Sequence, residues 1–272
     1  MHTAPIHRHL DHSPIARVLA AILLGVPLIT LQATDWCSWR GPTADGRSPE
    51  TGLELVWGSD GPRIPWRADV NASASGVSNA DGRVYTVGST PKERKQSVER
   101  TIWCLEAATG RALWQHVSEE GWGMSIGYIG HGTTATPIVD AGRVYVMGRR
   151  GSVLCLDAVT GKPLWERADL VSEYQLHPSH VGAGGAPVIV GDVLVLNICR
   201  PHGVGLDKHN GSTLWVSDTS RTGWNEEKDK ANHELGASHA GLIPYPAGGD
   251  HGVLFFAGDG LRSIDARNGE ER

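Results

Sequence analysis

Leu156-Asp157-Ala158-Val159-Thr160-Gly161-Lys162-Pro163-Leu164-Trp165 is the stretch that decides the fold. It recurs as LEAATGRALW (Leu105–Trp114) and LDKHNGSTLW (Leu206–Trp215), and a fourth copy, IDARNGEER, runs from Ile264 to Arg272. The turn glycines Gly110, Gly161 and Gly211 lie about 50 residues apart, the period of a four-stranded propeller blade. Gly269 takes the same place in the last copy.

Outward from this phrase, one repeat reads as four short strands. TPIV (Thr136–Val139) precedes the turn Asp140-Ala141-Gly142, and RVYVMG alternates as a half-buried strand does. SVLCLDA is the third strand and PLWERAD the fourth, joined at Val159–Lys162, where Gly161 supplies the positive φ. GRVYTVG, TIWCLEA and ALWQHV repeat the plan, as do APVIV, DVLVLNI, GVGLDK and TLWVSD, then GVLFFAG and LRSIDARNG. The expected fold is all-β: a β-propeller of four-stranded antiparallel blades, with about four repeats present as part of a larger ring. The repeated tryptophan packs the rim, lodging on the glycine turn of the next blade and burying roughly 150–250 Å². The structural docking set is Gly110, Trp114, Gly161, Trp165, Gly211, Trp215, Gly269 and Trp66. IPWRADV (Ile64–Val70) resembles PLWERADL and reads as a fourth strand without a blade before it. It would complete the last repeat if four blades closed a ring. In an open arc, the apolar flank Gly252–Asn268 would be exposed and the chain prone to aggregate.

Residues 1–33 read as a signal peptide, 34–63 as an N-terminal leader and 64–272 as the propeller, truncated at its C-terminus. Basic residues precede the apolar run Val18–Leu31. That run is shorter than the roughly 20 residues of a membrane span, and Ala33 offers a cleavage position. The implied location is periplasmic or extracellular, with no stable membrane span after signal removal. A net charge of −5 with no basic stripe excludes nucleic acid as a partner. Cys104 and Cys155 share one repeat position, too far apart for a disulfide, and read as small buried residues; Cys37 and Cys199 have no evident partner.

Strand parity sorts the loops. First-to-second and third-to-fourth turns lie on one face. The crossovers Ser118–Ala135, Ala168–Gly185 and Ser217–Gly241 lie on the other, joined by the charged loop Ser89–Thr101. The crossovers carry Trp122, Tyr128, His131, Tyr174, His177, His180, Trp224, His233 and His239, the candidate binding face. Trp122 and Trp224 suit stacking on a sugar or peptide, or packing of the loops. His177 and His180 have a metal-ligand spacing, and equally suit backbone capping. His131 and His239 suit capping of inner strands. No motif of a catalytic nucleophile, phosphate loop or zinc site occurs, so no catalytic or metal residue is assigned.

The phrase resembles the docking motif of the pyrroloquinoline-quinone (PQQ) type propeller repeat, A-x-D-x-x-T-G-x-x-x-W, most closely at Asp157–Trp165, with Glu106 for Asp and Asn210 for Thr in other copies. The resemblance covers about Ile64–Arg272 and implies a propeller of six to eight blades. It implies two kinds of function: quinoprotein alcohol dehydrogenases using PQQ with calcium, and cofactor-free scaffolds such as the outer-membrane protein assembly lipoprotein. The adjacent cysteines and C-x-x-C-H site of the dehydrogenases are missing from this sequence. The expectation is therefore an exported binding or scaffolding module without catalysis and without cofactor, binding a protein or carbohydrate. The alternatives are a PQQ-dependent quinoprotein dehydrogenase, and a carbohydrate- or protein-binding surface on the crossover face.

Overall fold

The computed structural model describes residues 34–72, 74–91, 97–121, 135–149, 151–174, 185–198, 203–216, 240–245, 251–257 and 260–272. The chain divides into two units, 1–33 and 34–272, and the description concerns the second. The signal-peptide reading of residues 1–33 lies outside the described residues.

The described part is all-β apart from one helical turn. Each sheet takes its strands in chain order. The first contains β1 (Ser78–Ala80), β2 (Arg83–Pro91), β3 (Ser97–Glu106) and β4 (Ala112–Gly121). The second holds β5 (Ile138–Asp140), β6 (Arg143–Met147), β7 (Val153–Asp157) and β8 (Pro163–Arg167). The third holds β9 (Val188–Val190), β10 (Val193–Leu196), β11 (Val204–Asp207) and β12 (Thr213–Val216). The last holds β13 (Ile243–Tyr245), β14 (Gly252–Ala257) and β15 (Gly260–Asp265). These are the four expected propeller blades, the last with three strands.

Two-residue turns set the register of the inner hairpins. Asp81-Gly82 and Ala141-Gly142 both have positive φ at both positions, the conformation that matches strand twist. Blade faces then bury alternate apolar residues between neighbours. One core joins Ala80, Tyr85, Ile102 and Cys104 to Val144, Leu154 and Leu156 of the second blade. Another joins Tyr145, Met147 and Cys155 to Leu194, Leu196 and Leu206 of the third. A third joins Val195 and Trp215 to Val253, Phe255 and Ile264.

Three expectations change. Ser89–Thr101 is mostly not a loop: β2 and β3 stay paired out to Pro91↔Val98, and β4 follows to Gly121. Its charge concealed the strand, because Arg100 is buried (1% exposed), donating to Ser118 Oγ at 3.1 Å and Ser152 Oγ at 3.4 Å. The crossover after β8 holds a helical turn, α1 (Leu170–Glu173), capped by Asp169, whose carboxylate accepts from Ser172 N–H at 2.9 Å. Ile64–Val70 lies in no described ladder; Glu271 bridges β15 at Ile264.

Candidate functional site

Four tryptophans pack against turn glycines. Trp66, Trp114, Trp165 and Trp215 lie flat on Gly110, Gly161, Gly211 and Gly269, so close that an added Cβ would stand 2.5–2.6 Å from the ring. Their indole N–H groups donate to the carbonyls of Ala107, Ala158, Lys208 and Ala266 at 2.9, 3.0, 3.1 and 2.7 Å. The turns themselves are held by acids. Asp157 accepts from the Thr160 amide and hydroxyl at 2.7 and 2.8 Å, which holds its carboxyl below the usual range.

A second donor at these carbonyls escaped the sequence reading. Tyr85 hydroxyl donates to Ala158 O at 3.1 Å and Tyr145 hydroxyl to Lys208 O at 3.2 Å, so each carbonyl accepts a Trp and a Tyr. The rings tilt against each other at 6.0 Å in both blades (Tyr85–Trp114 and Tyr145–Trp165). The recurring Arg-Val-Tyr of Arg83–Tyr85 and Arg143–Tyr145 was the available signal. In the third blade Val195 replaces the tyrosine, and Trp215 leans over Gly205, which takes the place of Cys104 and Cys155. Those two cysteines are unpaired and buried; burial pushes both thiols up to about 11. They are inert core residues, as the repeat position implied.

Of the nine candidate face residues, Trp122, Tyr128, His131, His177, His180, Trp224, His233 and His239 lie outside the described residues. Tyr174 is described, and it is a clip. Its hydroxyl is 2.6 Å from Thr213 Oγ1 on β12, and Arg167 alongside holds Glu173. Hydrogen bonding to Arg167 lowers the Glu173 pKa. On the opposite face ion pairs cross between blades, with Lys208 Nζ 3.1 Å from Asp140 and 3.4 Å from Asp192, and His209 Nε2 is within hydrogen-bond distance of Asp192 at 3.2 Å. Arg143 also donates to His209 O at 2.8 Å. Every one of these groups ties a blade or turn together.

Among the described residues, no three His, Cys, Asp or Glu side chains converge as metal donors. Cys104 and Cys155 stand in separate blades, each opposite its own tryptophan in register. No helix among the described residues is long and apolar enough to cross a membrane.

A family model described as outer membrane protein assembly factor BamB matches residues 98–272. The structure is similar to a europium-containing methanol dehydrogenase (TM-score 0.55, 14% identity, covering 77% of this chain and 43% of that one). It is also similar to the quinohemoprotein alcohol dehydrogenase of Comamonas testosteroni (TM-score 0.54, 16% identity, 88% and 40%). BamB from Moraxella catarrhalis matches with a TM-score of 0.40 and 14% identity, over 74% of this chain and 61% of that one. The chain spans less than half the length of the two dehydrogenases. At these identities the likeness concerns the fold. No curated protein matches the sequence significantly.

Proposed function

Because this chain belongs to the family of PQQ-repeat β-propellers described as outer membrane protein assembly factor BamB, we propose that it is an exported binding or scaffolding module that performs no chemistry itself. The observation that carries this reading is how the repeated polar and aromatic groups are used. Among the described residues, the turn acid Asp157 closes its own turn, while the docking indoles and the Tyr85 and Tyr145 hydroxyls donate to carbonyls of the next blade. Function then falls to the crossover face, whose long loops differ from blade to blade. The partner class is a protein or a carbohydrate, and residues 1–33 direct export.

The fold is shared with PQQ-type dehydrogenases, so the discriminating experiment is direct. The purified protein is titrated with PQQ and calcium, and dye-linked alcohol oxidation is followed. The scaffold reading expects no stoichiometric uptake and no oxidation. Uptake of one quinone per chain with alcohol-dependent dye reduction would replace it with the enzyme reading.

A further inference from the structure

The innermost strand of a blade has an edge facing the propeller axis. In an antiparallel hairpin, residues of a non-hydrogen-bonded pair turn their N–H and C=O away from the partner strand. Counting from their two-residue turns, Asn79 (opposite Val84) and Val139 (opposite Val144) are such residues at equivalent places in β1 and β5. Their amides therefore face the axis.

The leader fills this edge. Trp36 N–H donates to Asn79 O and Asn79 N–H to Trp36 O, both at 3.0 Å, and Val139 N–H donates to Cys37 O at 2.8 Å. Asp81 N–H donates to the Asp35 carboxylate at 3.3 Å. Trp36 folds onto Gly41, and Trp39 lies on Gly241 just before β13, where an added Cβ would stand 2.6 Å from the ring. In β13 the equivalent of Asn79 is Pro244, which has no N–H to satisfy. The segment is thus seated by one antiparallel bridge on the first blade and one main-chain bond on the second, and pinned by a ring to the fourth.

Its hold is light: it makes one bridge to β1 and one main-chain bond to β5. Trp39 is 47% exposed and Cys37 half-buried. Elements with few buried contacts open locally, well below the free energy of global unfolding. We propose that Asp35–Trp39 is a self-docked strap, and that the edge it occupies at Asn79 and Val139 is a strand-binding site for an extended peptide. The strap's own seat displays the recognition: main-chain pairing antiparallel to β1, with an aromatic residue anchored on a glycine.

Cys37 reports the opening. Its thiol is held above the ordinary range by burial and by Asp35, Asp81 and Asp140, so the docked strap reacts slowly. Cys104 and Cys155, both 0% exposed, report global unfolding in the same tube. The full chain is treated with iodoacetamide, and labelling is mapped per cysteine by mass spectrometry. We expect Cys37 to react ahead of Cys104 and Cys155. Gly241→Ala, which removes the seat of Trp39, should raise the Cys37 rate at least tenfold and leave Cys104 and Cys155 unchanged. If Gly241→Ala also exposes those two, Trp39→Ala is read instead. Excess synthetic peptide spanning residues 34–47, with serine at the cysteine position, should raise the rate further by occupying the vacated edge; a scrambled peptide should not. Cys37 reacting only in step with Cys104 and Cys155, or indifference to the native-sequence peptide, would overturn the proposal.

Discussion

Gly161 and Gly142 have nearly the same backbone, φ +69° and +74°, yet opposite surroundings. A Cβ at Gly161 would stand 2.6 Å from the Trp114 ring, whereas at Gly142 it would meet nothing within 4 Å. Gly142→Ala should therefore cost only the conformational strain, about 1 kcal/mol. Gly161→Ala adds displacement of the indole from its carbonyl, and the total should reach about 2–5 kcal/mol. Denaturant midpoints of the two variants measure the difference; equal losses would mean that docking contributes nothing. Tyr85→Phe and Tyr145→Phe each remove one donor from a shared carbonyl and should cost about 1 kcal/mol. The two pairs are separate, so the double variant should lose the sum. The tryptophans and glycines were legible because they recur with a fixed offset. The tyrosines were not, since two copies of Arg-Val-Tyr look like ordinary strand alternation until the hydroxyl is seen to cross to the next blade.

At the scale of elements, the first blade is the one whose shape departed from its sequence. Charge at Glu99 and Arg100 suggests solvent, but Arg100 points into the seam with the second blade and bonds Ser152 there. A buried guanidinium beside two hydroxyls has no hydrophobic signature, so alternation could not reveal it. The same seam predicts a pH dependence. His116 on β4 is partly buried, with Arg100 on β3 and Glu166 on β8 nearby; burial and Arg100 lower its pKa, and Glu166 opposes them. The unfolded chain takes up this proton near pH 6.5, before the folded chain does. Stability should thus fall as pH drops through 6.5 and level off below the folded value. His116→Gln should flatten that part of the profile of melting temperature against pH. An unchanged profile would show that His116 titrates alike in both states.

For the whole molecule, the blade plan could be read from sequence because each repeat carries its own turn, strand and anchor signals. The candidate face could not be read so far, because loop residues have no period and only Tyr174 among them has a described setting, which is structural. What the fold leaves apolar and open is also informative. Phe256 and Leu261 are cross-strand partners on β14 and β15 and are 57% and 64% exposed, although Val253 and Phe255 alongside are buried. Two large apolar side chains directly opposite each other on a strand pair make a sticky spot, where chains associate to bury it. Replacing them removes little packing, so Phe256→Ser with Leu261→Lys should change the melting temperature by no more than about 2–4 °C, the shift expected for roughly 1 kcal/mol. The same change should sharply reduce self-association, measured by light scattering across a protein concentration series. If the double variant aggregates as the parent does, the sticking surface lies elsewhere, and the exposed leader residues Leu55, Val56 and Trp57 become the next to replace.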